Sequence, residues 1–240
     1  LDARVRGAHV AYSKVRLAEG ATIDEVTGDP TSTVVPAPGS EGWDISNQWS
    51  LTYDSRANFN GISVGSKLVA SIEKSLLALG SDYDYTLLTF RAERGARVLA
   101  RHNLVVKTQF NAGRNVPFQQ EYLTGGTAMR GYINGQLRGD LQAAANAEYS
   151  FPLFSIKGFS MRGLGFWDSA YTTFLDGEDR PDRDFLPGAE KRGLDPFKNS
   201  VGLGVRMYLK QIVLPLLGLD VGYGVERNAF EVYLAIGLTD

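Results

Sequence analysis

The sequence predicts an all-β chain, an antiparallel transmembrane β-barrel with about ten strands and one long inserted extracellular loop. Three observations carry that prediction. Apolar and polar residues alternate with period two over segments long enough to cross a bilayer at a tilt, which takes roughly 9 to 11 residues per strand. Glycine is frequent, 27 of 240 residues, and aromatics make 11 % while mean hydropathy is slightly negative. That balance suits a wall that is apolar on one face and polar on the other. Finally, the three long intervals between alternating segments all fall on one side of the wall.

Segments 5–17, 47–54, 61–78 and 83–93 are the first four expected strands, joined by a long connection at 18–46 and short ones at 55–60 and 79–82. The fifth follows a short connection at 94–97 and spans 98–111. Its apolar face holds Val98, Ala100, His102, Leu104, Val106 and Phe110, and its polar face Arg101, Asn103, Lys107, Gln109 and Asn111. A long connection at 112–140 leads to the clearest segment, 141–153. There Leu141, Ala143, Ala145, Ala147, Tyr149, Phe151 and Leu153 oppose Gln142, Ala144, Asn146, Glu148 and Ser150.

Segment 158–173 follows after 154–157, and 174–198 is the third long connection. The last strands are read from Val201, Leu203, Val205, Met207 and Leu209, then Leu217, Leu219, Val221 and Tyr223, then Phe230, Val232, Leu234, Ile236 and Leu238. Glycines and charged residues fill the opposite faces. A soluble sandwich or lipocalin-like barrel also alternates, but it turns its apolar face inward. Here glycine and charge line the second face and aromatics sit near strand ends, the sense of a membrane barrel. All three long connections fall on one side, as extracellular loops do.

Composition narrows the chemistry. The formal net charge is -2, from 25 basic and 27 acidic residues, so nothing announces a nucleic-acid partner. With no cysteine there is neither disulfide nor thiolate site, which suits passage through an oxidising periplasm. No apolar run approaches the roughly 20 residues of a spanning helix, and no signal-peptide pattern is present, so any export signal is removed or lies outside the segment. His9 and His102 lack a nucleophile partner in a Gly-x-Ser-x-Gly context, and no catalytic residue is expected. The acidic stretch from Asp176 to Asp184 is interrupted by Arg180 and Arg183 and lacks EF-hand spacing, so it reads as a solvated loop. No metal or cofactor is expected, and Gly202-x-Gly204 reads as lumen space within a strand.

The connection at 112–140 carries Tyr122-Leu123-Thr124-Gly125-Gly126-Thr127-Ala128-Met129-Arg130-Gly131-Tyr132. It resembles the sixth extracellular loop of the Omp85 superfamily, a Gly-Gly followed by Val-Arg-Gly and an aromatic residue, with Met129 in place of valine. Two further matches follow in order. Glu148-Tyr149-Ser150-Phe151-Pro152-Leu153 resembles the end of the strand after that loop, and Phe166-Trp167-Asp168 resembles the Phe-x-Asp of the next. Upstream, Tyr53-Asp54-Ser55-Arg56-Ala57-Asn58 is similar to the family's Tyr-Asp-Thr-Arg-Asp-Asn turn. The resemblance covers roughly 45–240, with five strands before the loop and five after.

The resemblance implies that Gly125, Gly126, Met129, Arg130, Gly131 and Tyr132 form a loop anchored to the inner wall. Arg130 is expected to pair with Asp168, beside Phe166, with Glu148 as a second inward acid. A charge-swapped double variant of Arg130 and Asp168 is expected to recover part of what either single change loses. It further implies an outer membrane of a Gram-negative bacterium or a related organelle, and outer-membrane lipids with client polypeptides or lipids as partners. The reading is one barrel domain over 1–240 without POTRA modules.

Most members of that superfamily have sixteen strands behind POTRA modules, so ten strands require either missing N-terminal strands, a second copy, or closure as a short member. The end of the chain also lacks a final aromatic, with Leu238 in its place. The expected activity is insertion, assembly or translocation through a seam between first and last strands, with the Arg130 loop bracing the wall opposite that seam. The alternative is a passive anchor or pore.

Overall fold

The computed structural model describes residues 1–11, 41–59, 61–175, 197–209 and 215–236. Segment 5–17 beyond Ala11, the acidic stretch from Asp176 to Asp184 and Leu238 lie outside them. The described chain is almost entirely strand. In order come β1 (Asp2–Val10), β2 (Gly42–Asp54), β3 (Ala57–Phe59), β4 (Ile62–Ser75), β5 (Thr86–Arg97) and β6 (Asn103–Arg114). Then follow β7 (Tyr122–Thr124), β8 (Leu137–Gly139), β9 (Leu141–Ile156), β10 (Phe159–Thr173), β11 (Lys198–Leu209), β12 (Pro215–Gly224) and β13 (Ala229–Ile236). Three single 3-10 turns at 77–79, 118–120 and 126–128 are the only helical pieces among the described residues.

Ten of these strands make one antiparallel wall in the order β1-β2-β4-β5-β6-β9-β10-β11-β12-β13, each beside its predecessor. The short β3 pairs with β4 at one end, and β7 pairs with β8 as a separate hairpin. Five wall strands precede the long loop and five follow it. Among the described residues β1 and β13 pair with one neighbour each, so the wall has two free edges.

The two faces differ as a membrane wall requires. Outward residues are large and uncovered: Leu203 and Phe230 remain 70 % and 69 % exposed, and Trp43, Trp49, Leu51, Ile72, Phe90 and Trp167 share that face. Inward residues are polar yet buried, with Asp44, Ser46, Asn111, Asp168, Ser200 and Asp220 all nearly inaccessible. A soluble barrel would show the reverse. Polar burial on this scale is tolerable because the loop between β6 and β9 lies against the inner face and supplies partners.

Several strand ends fall away from where alternation places them. Asn103, not Val98, starts β6, and Val98 to His102 form the turn from β5, closed by a His102 N–H to Leu99 carbonyl bond of 3.2 Å. Val98 and Leu99 are half-exposed there. In a turn at a membrane surface apolar residues carry little penalty, so the alternation runs on through it. Conversely β5 continues to Arg97 and β2 starts at Gly42, in stretches whose charges or brevity read as connection.

Lipid exposure of the outer face has a direct test. Leu203→Arg, in the middle of β11, is expected to destabilise the refolded protein by about 2–4 kcal/mol in vesicles. Leu203→Phe should leave stability unchanged, with urea titration as the measurement.

Candidate functional site

The loop that fills the inner face begins where β6 ends. Asn115 takes a left-handed φ of 53°, a conformation asparagine tolerates better than most residues, and turns the chain inward. Val116 then packs with Tyr85 and Leu87 in a small apolar cluster. The hairpin β7–β8 pairs Tyr122 with Gly139 and Thr124 with Leu137, so residues 125–136 form its tip. Gly125 has φ 125°, and a Cβ there would lie 2.0 Å from the Ile133 carbonyl oxygen. Gly126 follows at φ 64° and donates its N–H to the Tyr132 carbonyl at 2.9 Å. The Gly-Gly pair therefore closes the tip and aims Met129, Arg130 and Tyr132 at the wall.

Arg130 is 4 % exposed and meets three strands. Its Nη2 donates to Asp168 Oδ1 at 2.8 Å and its Nε to Oδ2 at 2.9 Å, the bidentate fork that a guanidinium presents to a carboxylate. The backbone N–H of Arg130 adds a third bond to Asp168 Oδ2 at 3.1 Å. Nη1 reaches Glu148 Oε1 on β9 at 2.6 Å and Asp220 Oδ2 on β12 at 3.3 Å. The guanidinium carbon stands 3.5 Å from the centre of the Phe166 ring, a stacked cation–π contact two residues from Asp168 on the same face of β10.

Small residues make the seat. Met129 and Tyr132 are fully buried against Ala170 of β10 and Ala144 of β9. Gly131 has φ 90°, and a Cβ on it would sit 2.5 Å from the backbone nitrogen of Gly224. A Cβ on Gly222 would sit 2.7 Å from the nitrogen of Gly131. Backbone therefore lies on backbone at β12. Gly202 and Gly204 are not empty lumen: added Cβ atoms there would collide with the Phe166 ring and the Asp220 carboxylate.

The contact runs on to the last strand. Gly131 N–H donates to the Tyr233 hydroxyl of β13 at 2.9 Å, and that hydroxyl donates to the Tyr132 carbonyl at 2.9 Å. The Tyr132 hydroxyl donates to Glu226 in the turn between β12 and β13. Partial burial pushes the Glu226 pKa up, but hydrogen bonds from the Asn199 backbone, the Tyr132 hydroxyl and the Asn199 side chain outweigh it. The carboxyl is held below its ordinary range. Asp220 also binds Arg206 of β11, with 2.7 Å between Nη2 and Oδ2.

At its other end the loop touches the early strands. Gln120 Nε2 donates to Asp44 Oδ2 of β2 at 2.9 Å. Asp44 is fully buried in a polar cluster where Arg6 Nη2 of β1 donates to it at 3.0 Å and the Tyr85 hydroxyl at 2.8 Å. Arg6 also reaches Glu73 of β4 at 3.2 Å. Arg56 chelates Asp54 and sends Nη1 to Glu93 at 3.0 Å.

The structure thus brings Arg130, Phe166, Glu148 and Asp168 together and sets Gly125, Gly126, Met129, Gly131 and Tyr132 around them. The loop meets the middle of the wall through Glu148 of β9 and Asp168 of β10, and its glycine contact with β12 carries it on to β13 as well. Asp220, Arg206, Tyr233, Glu226 and the Arg6–Asp44–Tyr85 cluster are not singled out by sequence. The available signal is that Arg206 and Asp220 fall on the polar face beside glycines. Among the described residues no group of three or more His, Asp or Glu side chains could hold a metal ion.

A model of the Omp85 superfamily domain matches residues 21–227. The chain belongs to the Omp85 superfamily. Among solved structures this Omp85 chain is similar to BamA from Haemophilus ducreyi lacking POTRA domains 1–3, with a TM-score of 0.62 at 16 % identity. The match covers 84 % of this chain and 44 % of that one, so the Omp85 chain spans less than half of the solved relative. No curated protein matches it.

Three acids sharing one guanidinium decide what substitution does. Arg130→Ala leaves Asp168 buried without its cation and is expected to cost about 3–5 kcal/mol, read as a loss of heat-resistant folded band. The swapped double variant R130D/D168R is expected to recover nothing, since it sets a third carboxylate beside Glu148 and Asp220. Recovery would show that Asp168 alone matters.

The depressed pKa of Glu226 gives a pH signature. A carboxylate held low when folded contributes stability that is complete above its ordinary value of 4.5 and is lost as pH falls through the folded value. Glu226→Gln is therefore expected to lower the melting temperature more at pH 7 than at pH 3. An equal deficit at both values would assign the effect to packing.

Proposed function

We propose that this chain acts at the outer membrane in the insertion, assembly or translocation of other polypeptides or lipids, using the free strand edges of its wall. Membership of the superfamily supports the membrane and the general class of activity. The observation that carries the finer reading is the state of β13. Among the described residues it has a strand partner on one side only, and the Tyr233 hydroxyl ties it to the loop from within. An extended client segment adding to such an edge gains main-chain hydrogen bonds of the kind used in strand addition. The loop then sets the position of the edge that the client meets.

Reconstitution tests this. Vesicles carrying the chain are expected to fold an unfolded outer-membrane barrel client faster than vesicles carrying an unrelated eight-strand barrel. Tyr233→Phe removes one hydroxyl and two hydrogen bonds, at a cost of about 1–3 kcal/mol, and is expected to slow client folding while the wall stays folded. Equal rates for both kinds of vesicle would remove the proposal.

A second reading, a passive anchor or pore, draws support from two polar cavities of 390 Å³ and 310 Å³ between the loop and the wall. It requires steady conductance in a planar bilayer without any effect on client folding.

A further inference from the structure

The Phe151-Pro152-Leu153 motif has a consequence that the loop anchor does not use. Between β9 and β10 the register runs Met161 opposite Phe154 but Arg162 opposite Pro152, so Leu153 is an extra residue. Proline lacks an N–H for the ladder and is tolerated at such a bulge, and bulges re-aim neighbouring side chains. A second shift lies at the same height on the other side, between Met207 and Tyr208 in the β11–β12 pairing. The two irregularities flank Arg162, which points into the inner face.

Arg162 is 5 % exposed and has no carboxylate partner among the described residues. Its Nη2 donates to the Ser150 carbonyl at 3.2 Å and the Ser150 hydroxyl at 3.0 Å, while its buried Nε has no acceptor. Directly across the ladder stands a second guanidinium, Arg206, whose charge is answered by Asp220. The inward acids nearby are already engaged. Glu148 and Asp220 hold Arg130, and Glu93 holds Arg56. Arg162 lines the 310 Å³ cavity with Arg206, Tyr208, Ser150 and Ser63. The turn before β4 borders it, since a Cβ on Gly61 would meet both Tyr208 and Arg162 within 2.7 Å.

A buried guanidinium with open donors is costly unless something answers its charge. The geometry points to a binding site for one small oxyanion, a phosphate or carboxylate group, held by Arg162 in this cavity. The shape fits that class. Arginine presents parallel N–H donors to two oxygens of one group, and the Ser150 hydroxyl, which accepts from Nη2, can donate its own proton to a remaining oxygen. The ligand enters from the polar inner face, and the site does not depend on whether the chain assembles other proteins.

The test uses the full chain refolded in maltoside micelles with ¹⁵N-labelled arginine, free of other phosphate. Titration with inorganic phosphate is expected to shift the Arg162 Nε–H resonance saturably, and acetate to do so more weakly. Arg162→Gln is expected to weaken phosphate binding, read from the ³¹P linewidth, by about tenfold or more. Arg162→Lys, which keeps the charge but loses the fork, is expected to bind phosphate more weakly than the parent and more tightly than Arg162→Gln, and unchanged binding in it overturns the site if the glutamine variant does not fold. A saturable shift with phosphatidylglycerol-doped micelles but not with inorganic phosphate would assign the group to a lipid headgroup. A non-saturable response in every arm, or unchanged phosphate binding in Arg162→Gln, overturns the site.

Discussion

The position of the inner loop depends on one cation. Arg130 is removed from water at the tip of a hairpin and answered by carboxylates from β9, β10 and β12 together. Such a cluster adds less net stability than its count of bonds suggests, because each charge loses its hydration on burial. Its strength is in what it forbids. A guanidinium whose partners sit on three strands has one place where all are satisfied, and a shift of the loop away from β10 leaves Asp168 buried without its cation. Specificity of position, more than depth of binding, is what the cluster supplies.

The glycines of β12 follow from that demand. To place Nη1 near Asp220 while Nε and Nη2 hold Asp168, the loop backbone must lie directly on the wall at Gly222 and Gly224. Side chains at those positions would lift it away. Glycine weakens a strand interior through its flexibility, so the wall gives up some local stability for the contact. Phe166 occupies the matching gap over Gly202, which converts apparent free space into the ring face that covers Arg130.

Much of this was legible in the sequence because barrel chemistry is periodic. Alternation placed Glu148, Asp168, Arg206 and Asp220 on one face without any contact being known. The motif around Arg130 singled out the loop, and Phe166 and Asp168 were linked by their spacing of two. What stayed hidden depends on register. Asp220 meets Arg130 across 90 residues, and Tyr233 meets Gly131 across 102. No local pattern encodes which rungs of distant strands share a height. The ends of β5 and β6 were displaced for a different reason: apolar Val98 and Leu99 extend the alternation through a turn that bilayer-facing chemistry does not penalise. Asp44 fell within the connection read at 18–46, and Arg6 in the candidate strand 5–17 with no motif to mark it.

Among the described residues the first and last wall strands share no ladder, yet both are tied to the inner loop. On the early side Arg6 of β1 binds Asp44, and Asp44 receives Gln120 from the start of the loop. On the late side Tyr233 of β13 binds the backbone at Gly131 and Tyr132, near the loop tip. One polypeptide segment therefore connects both edge strands from the inside, through charged and hydroxyl groups and without main-chain pairing. Edge strands normally carry a risk of indiscriminate pairing, which proteins limit by covering or charging them. Among the described residues the outer ladder positions of β1 and β13 are unpaired, and constraint comes from the side chains behind them. Because the internal contacts occupy one face of each of these strands, they fix its position without using its ladder groups.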